Sequence, residues 1–265
     1  LWSVTTGVYT GMRGILPPIQ RYIYLYIPLI TMGLMSREYQ SGSIKLLYSS
    51  PVKNTSIIMG KFLSMMVYGV VLIGVLGVFV IFSAITIVNF DYPLVLSGML
   101  GLYLLILAYS AIGLFMSSIT KYQVVAAIGT LAVLAVLNFI GDVGQDYDLV
   151  RHITYWLSIT GRAYPFIDGL VASDNIFYFL IVIGFFLALS ILKLNTEKTI
   201  MPLKIKVLKY SGIIFVILLL GYISSTPYTK YYYDATYTKS NTLAKESQDV
   251  IKNLDGDLTI TTYVN

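Results

Sequence analysis

The chain has 265 residues, of which 57% are hydrophobic and only 12% are charged, and its mean hydropathy is +0.76. A soluble domain averages about 25% charged residues, so the composition excludes a mainly water-facing surface and indicates an integral membrane protein. The net charge of +5 does not indicate nucleic-acid binding, because the positive residues lie mostly in two short loops that can orient membrane helices. The absence of cysteine excludes disulfides and thiolate metal sites.

Six stretches are candidates for membrane-spanning helices, each of which needs about 20 apolar residues. We therefore predict an all-α polytopic membrane protein with about six transmembrane helices. In chain order, the predicted spans are residues 19–35, 62–88, 94–117, 123–140, 176–194 and 210–225. The first span is short and contains Pro28, so it is expected to be tilted or kinked.

A polar segment, residues 36–61, separates the first two predicted spans. Its basic residues are Arg37, Lys45, Lys53 and Lys61, against the single acid Glu38. Short loops rich in Lys and Arg stay on the cytoplasmic side of a membrane, so we expect this segment to be cytoplasmic. Apolar residues are scattered among polar ones, and Gly42 and Pro51 interrupt the segment. This pattern predicts one or two short amphipathic helices along the inner interface.

The remaining loops alternate in charge as a multi-pass protein of the plasma membrane requires. Loop 195–209 is basic and is predicted to be cytoplasmic, whereas residues 141–175 are mainly acidic and are predicted to be extracytoplasmic. The tail, residues 226–265, is then extracytoplasmic as well. Residues 1–18 would also lie outside, so we expect an earlier helix to be missing from this sequence.

Residues 141–175 contain apolar stretches that are too short to span a bilayer. One interpretation is a pair of short helices on the outer interface, with Trp156 as an anchor. The other is an ordinary packed external loop. The sequence leaves both interpretations open.

The tail has the pattern of a soluble α/β unit. One predicted helical face contains Leu243, Val250, Ile251 and Leu254. Apolar residues then alternate with polar ones over residues 258–264, which predicts a strand. We therefore divide the chain into a transmembrane domain (1–195), a basic loop with an additional transmembrane helix (196–226) and the start of a truncated extracytoplasmic α/β domain (227–265).

Motifs for catalysis or cofactor binding are lacking in the sequence. There is no G-x-x-x-x-G-K-[ST] phosphate loop, and the only histidine is His152. Asp142 has no second carboxylate within a predicted span, which disfavours an intramembrane enzyme. We therefore predict no catalytic, cofactor-binding or metal-binding residues, and no cofactor.

The interiors of the predicted spans contain no Asp, Glu, Lys or Arg, which disfavours a proton- or sodium-coupled transporter. Polar residues do occur there, and they either line a pathway or form hydrogen bonds between helices: Tyr103, Tyr109, Ser110 and Asn138. Small residues four apart, Gly60 with Ser64 and Gly184 with Ala188, predict close helix contacts.

The polar segment resembles the signature of type-2 ABC exporter permeases. That family has an acidic residue, Gly-Thr, an apolar stretch, Ser-Pro, and then Gly-Lys at the start of the next span. Here the corresponding residues lie within 36–52 and 57–62, with Ser43 in place of the usual Thr and one acid where two are common. The resemblance continues at residues 112–121 and covers about residues 1–195.

This resemblance implies the membrane-spanning permease subunit of an ATP-driven exporter. It implies separate ABC ATPase subunits as partners, a second permease copy or paralogue, a surrounding lipid bilayer and no nucleic acid. Residues 36–50 would form a coupling helix that docks into an ATPase. The predicted coupling residues are Glu38, Gly42, Ile44, Lys45, Leu47 and Pro51. Within this set, Glu38 would provide a polar contact or an orienting charge, and Ile44 and Leu47 would dock through apolar contacts.

The tail from Tyr233 to Thr261 is similar to the start of the extracytoplasmic domain of gliding-motility-type ABC auxiliary proteins. The chain would then be a permease fused to such a component. The same similarity supports an alternative function, a non-transporting membrane scaffold that holds an outer domain in a surface or motility assembly.

Overall fold

The computed structural model describes residues 16–86, 90–198, 202–224, 226, 229–243 and 247–249. The described chain is almost entirely helical. Its elements are α1 (Leu16–Thr31), α2 (Gly33–Ser41), α3 (Ile44–Ser49), α4 (Asn54–Thr86), α5 (Tyr92–Ile119), α6 (Gln123–Phe139), a 3-10 turn (Ile140–Asp142), α7 (Asp148–Leu157), α8 (Ile159–Ile167), β1 (Leu170–Ala172), α9 (Ser173–Lys198), α10 (Leu203–Ser224) and β2 (Tyr232–Asp234).

Five described helices are long and apolar enough to cross a membrane: α4, α5, α6 with its 3-10 turn, α9 and α10. The prediction of an all-α polytopic membrane protein is confirmed. α4 begins well before the predicted residue 62, because polar side chains of its first two turns have partners on other helices. Asn54 Nδ2 donates to Asn195 Oδ1 at 2.8 Å, and Lys61 pairs with Glu38.

The first predicted span corresponds to a shorter helix. α1 has 16 residues and rises about 24 Å, less than the roughly 30 Å of a hydrocarbon core. It stops at Thr31, whose Oγ1 donates to Ile27 O at 2.9 Å, a bond that bends helices. The amide of Met32 still donates to Pro28 O at 3.0 Å. The chain therefore continues with little interruption into α2.

α5 is the central helix of the bundle. In its apolar stretch 72% of the residues are buried, against 11% in α4 and 11% in α10. It packs against α1, α2, α4, α6, α8 and α9. A side chain at Gly98, Gly101 or Gly113 would overlap a neighbouring helix. Glycine at these positions allows close approach of α1 and α8.

The predicted close contacts at Gly60 and Gly184 are wrong within the chain that the structure describes. A Cβ at either position would meet no atom within 4 Å. Gly60 is exposed and Gly184 borders an open groove between α9 and α10, so neither glycine marks a tight helix crossing within the described residues.

Residues 141–175 contain two short helices, α7 and α8, followed by β1. Helices thus occupy part of this segment, and its position at the outer interface stays a prediction. α8 packs on α5 through the buried residues Ile159, Ala163, Phe166 and Ile167. The second apolar stretch of the segment, residues 166–171, was predicted to be helical and is not one helix: α8 ends at Ile167, Gly169 has φ +85° and β1 begins at Leu170.

The segment 229–243, called the strap below, runs back over the bundle after α10. Its strand β2 pairs antiparallel with β1 in the register Leu170↔Asp234, Val171↔Tyr233 and Ala172↔Tyr232. The amide of Ala235 donates to Gly169 O at 2.7 Å, and that of Tyr237 to Asp91 Oδ2 at 3.0 Å. Most of the predicted tail helix, the strand 258–264 and residues 1–15 lie outside the described residues.

The loops meet at two opposite ends of the bundle. At the α3 end, Gln123 Nε2 at the start of α6 donates to Gln40 Oε1 at 3.2 Å, and Asn195 meets Asn54. At the sheet end, the α4–α5 loop, β1 and the strap meet. The loops that were predicted to share one side of the membrane therefore lie at the same end of the bundle. That the α3 end faces the cytoplasm stays a prediction.

Candidate functional site

The candidate site is the hairpin formed by α2, α3 and the turns around them at the α3 end. Gly42 ends α2 in the left-handed conformation, φ +76°, and its amide donates to Tyr39 O at 3.4 Å. Helices commonly end at a glycine in this conformation, because it lets the chain turn away while hydrogen bonds satisfy the last carbonyl groups of the helix. α3 then starts at Ile44 in a new direction.

α3 presents one face to the bundle and one to the outside. Ile44 is buried, at 8% exposure, and belongs to the core. Leu47, one turn later, is half-buried against the same core. The outer face holds Lys45 and Leu46, and Leu46 is 73% exposed. Pro51 is also exposed.

Leu46 was not among the predicted coupling residues. Because Ile44 and Leu47 face the core, Leu46 is the accessible apolar side chain of α3. Ile44 and Leu47, which were predicted to dock, anchor α3 to its own bundle in this structure. Ile44 and Leu47 are three residues apart and therefore share one helix face. This spacing was the feature of the sequence that could have indicated that both residues face the bundle and that Leu46 does not.

Glu38 points into the protein and joins α2 to α4. Its Oε1 accepts from Lys61 Nζ at 2.5 Å, and the same nitrogen donates to Leu34 O at 2.6 Å. The side chains are 25% and 22% exposed, so water only partly screens the pair. Glu38 Oε2 is buried and has no hydrogen-bond donor within the described part of the chain. Glu38 thus orients α2 relative to α4.

Two tyrosines connect the hairpin to the end of α9. Tyr39 and Tyr48 both donate to Glu197 Oε2, at 2.5 and 2.9 Å, and Lys193 Nζ lies 2.8 Å from Glu197 Oε1. Burial raises the pKa of both phenols above the ordinary tyrosine value, and their hydrogen bonds to Glu197 add to the rise. Both hydroxyls therefore remain protonated donors throughout the physiological pH range.

The hairpin is consequently held at three places: by Glu38 to α4, by the tyrosines to α9, and by Ile44 to the core. The hairpin is thus connected to α4 and α9, both long enough to cross the membrane, while Lys45 stays exposed on its outer face.

The polar residues inside the predicted spans form hydrogen bonds between helices. Tyr109 OH donates to Asn138 Oδ1 at 3.3 Å, and Thr160 Oγ1 donates to the same oxygen. Tyr103 OH donates to Met66 O at 3.4 Å. Of the two interpretations left open by the sequence, these contacts favour helix association over a pathway. Ser110 Oγ is buried without a partner among the described residues.

Within the described ranges, no three His, Cys, Asp or Glu residues come together in a group that could hold a metal ion. Asp142 closes the 3-10 turn after α6. His152 lies in α7, and its side chain is outside the described part of the structure.

Comparison with known families adds an independent finding. Residues 15–145 match the ABC-2 family transporter protein. This segment is just under half of the chain and runs from α1 to the turn after α6, so it includes the whole α2–α3 hairpin. The ABC-2 match supports a type-2 ABC permease domain over these residues. No curated protein and no solved structure matches the chain.

The ABC-2 match ends before α7. α7 to α10 and the strap lie beyond it, so the wider permease resemblance over residues 1–195 is supported only for residues 15–145. The similarity of the tail to gliding-motility-type auxiliary proteins stays a prediction.

Proposed function

We propose that the chain is the permease subunit of an ATP-driven ABC exporter and that separate ATPase subunits drive it through the α2–α3 hairpin. The ABC-2 match over the hairpin supports this function. The observation that carries the proposal is the exposure of Leu46 on a helix whose opposite face is fixed to the bundle.

The outer face of α3 suits docking into a protein cleft. Leu46 is 73% exposed, and Val52, just after the helix, is 43% exposed. Covering Leu46 with an apolar surface would contribute about 1–2 kcal/mol. Lys45 beside it adds a charge that an acidic rim on the ATPase would complement.

The contacts between the hairpin and the bundle would transmit motion from α3 to the long helices. Closure of the ATPase subunits on ATP would displace α3. Tyr48 would carry that displacement to Glu197 on α9, and the Glu38–Lys61 pair would carry it to α4. The helices then shift between inward-open and outward-open arrangements.

The same proposal fixes orientation and partners. The α3 end lies in the cytoplasm, and the sheet end with residues 141–175 and the tail lies outside the plasma membrane. A second permease copy or paralogue completes the transport unit. α4, of which 11% is buried, offers a long apolar face to that partner or to lipid.

The test is Leu46→Asp in the full chain, purified from its native membrane with bound proteins. We expect at least about tenfold less co-purified ATP hydrolysis, because a charge in the docking cleft is costly. Leu203→Asp is the matched control, since Leu203 is 77% exposed at the start of α10 and is not part of the hairpin. It should retain the native activity.

Two results would contradict the proposal. Unchanged hydrolysis with Leu46→Asp would show that the hairpin is not the coupling contact. A native chain that brings down no ATP-binding cassette subunit would contradict the transporter function and favour the scaffold alternative.

A further inference from the structure

A cavity of about 810 Å³ lies at the sheet end of the bundle, between α7, α8, β1, the start of α9 and α10. It is outside the ABC-2 match and plays no part in the coupling described above. The residues used below are Trp156, Arg162, Asp174, Leu218 and Lys230, all of which line it. A cavity of roughly 300–1,000 Å³ has the size of a small-molecule site.

One side of the cavity is positively charged. Arg162 and Lys230 line it against one acid, Asp174. Arg162 Nη1 donates to Asp174 Oδ2 at 3.0 Å and to Asn175 Oδ1 at 3.1 Å. Its Nε is buried and has no acceptor within the described chain. The guanidinium also lies over the rings of Tyr155 and Tyr178. Because Asp174 balances Arg162, the charged lining keeps one net positive charge, that of Lys230, which suits a phosphate oxygen.

The other side of the cavity is apolar and opens towards lipid. Leu218 lies on α10 and is 59% exposed, and only 11% of the apolar stretch of α10 is buried. The Trp156 ring packs so closely on Gly221 that a side chain there would overlap it. An indole at this level is typical of the interface between acyl chains and headgroups. The charged side therefore adjoins a surface that acyl chains cover.

We propose that this cavity binds an anionic phospholipid from the leaflet at the sheet end. Arg162 and Lys230 hold the phosphate, and an acyl chain runs along α10 past Leu218. Basic pockets between membrane helices bind such headgroups in other proteins. A free soluble anion would satisfy the charge and leave the apolar wall uncovered, so the lipid is the better occupant. The proposal does not rest on the exporter function.

Tryptophan quenching tests the site, because the chain has only two tryptophans, Trp2 and Trp156. In a Trp2→Phe background, the full chain is placed in phosphatidylcholine vesicles containing increasing amounts of bromine-labelled phosphatidylglycerol. We expect Trp156 to be quenched at lower mole fractions by labelled phosphatidylglycerol than by labelled phosphatidylcholine. Lys230→Gln should raise the half-quenching mole fraction about tenfold, the effect of one charged hydrogen bond.

Lys204→Gln is the matched control, because Lys204 is exposed in the first turn of α10 and does not line the cavity. Arg162→Lys keeps the charge facing Asp174 and removes the planar guanidinium at the cavity wall, so it should weaken binding without unfolding the site. Equal quenching by the two lipids, or equal behaviour of Lys230→Gln and Lys204→Gln, would overturn the proposal. So would relief of quenching by millimolar sn-glycerol 3-phosphate, which would identify a free anion as the ligand.

Discussion

The Glu38–Lys61 pair fixes the orientation of the hairpin at the level of single residues. Lys61→Met should leave both oxygens of a partly buried Glu38 without a donor. We expect a loss of about 1–3 kcal/mol, between the values for exposed and for fully buried pairs. The measurement is the apparent unfolding midpoint in detergent, which should fall by about 2–8 °C.

Lys53→Met is the matched control for this change, since Lys53 is an exposed lysine of the same segment. Its midpoint should stay within about 1–2 °C of the wild-type value. A Lys61→Met protein as stable as Lys53→Met would contradict the structural role of Glu38.

For single residues, the sequence indicated which side chains matter to the hairpin, but it did not indicate the direction in which each side chain points. Gly42 was identified as an interruption, and the structure places it at a left-handed helix end. Glu38 was predicted to provide a polar contact or an orienting charge for coupling; the structure shows it paired with Lys61, and its role in coupling stays a prediction. The inward direction of Ile44 depends on where the helices of the core lie, which the local sequence does not contain.

At the level of elements, the strap is attached to the bundle through Asp234. This buried carboxylate accepts from Thr236 N at 2.9 Å, Thr236 Oγ1 at 2.7 Å, Asn241 N at 2.8 Å and Thr242 Oγ1 at 2.9 Å. Burial alone would raise the pKa of Asp234, but these hydrogen bonds outweigh it and hold the pKa well below the ordinary aspartate value. The ionised carboxylate therefore stabilises the strap.

Asp234→Asn should weaken the attachment of the strap by about 2 kcal/mol at neutral pH, because an amide cannot accept all four donors. The folded-state pKa lies below the unfolded value of about 3.9, so the contribution is fully present above that value. It is lost as the pH falls through the folded-state pKa. The difference in unfolding midpoint between wild type and Asp234→Asn should be constant from about pH 8 to 5 and shrink below about pH 4.

Asp249→Asn provides the control, since Asp249 is an exposed acid further along the tail. It should change neither the midpoint nor its pH dependence. A wild-type to Asp234→Asn difference that widened as the pH fell would show that the carboxylate is not ionised in the folded protein.

The long helices were predictable because a span is a local property of about 20 consecutive residues. The strap was not predictable, because β2 pairs with β1 through residues that are 60 to 64 positions apart in the sequence. α1 differs from its predicted span for a third reason. Pro28 lies in its last turn, and the Thr31 hydroxyl bonds to Ile27 O and contacts Gly113 where that helix ends.

At the level of the whole molecule, orientation in the membrane can be measured directly, because the chain contains no cysteine. Single cysteines at Lys45 and Lys121 mark the α3 end, and single cysteines at Tyr164 and Tyr237 mark the sheet end; all four positions are exposed. We expect an impermeant maleimide added to intact cells to label only the second pair. Permeabilised cells should show labelling of all four.

Labelling of the Lys45 cysteine in intact cells would reverse the orientation and remove the basis of the proposed coupling to cytoplasmic ATPases. Loss of labelling at all four positions after permeabilisation would contradict the exposure of these residues. The first outcome would indicate a wrong orientation, and the second would indicate a wrong fold.

The pairing of β1 with β2 has a consequence for biogenesis. β1 leaves the ribosome before α9 and α10, and its partner strand follows them. The amide and carbonyl groups of Leu170–Ala172 therefore stay bonded to water until two further helices have entered the bilayer. A translational pause in that interval would prolong the lifetime of an open strand edge, which quality-control proteases and chaperones recognise.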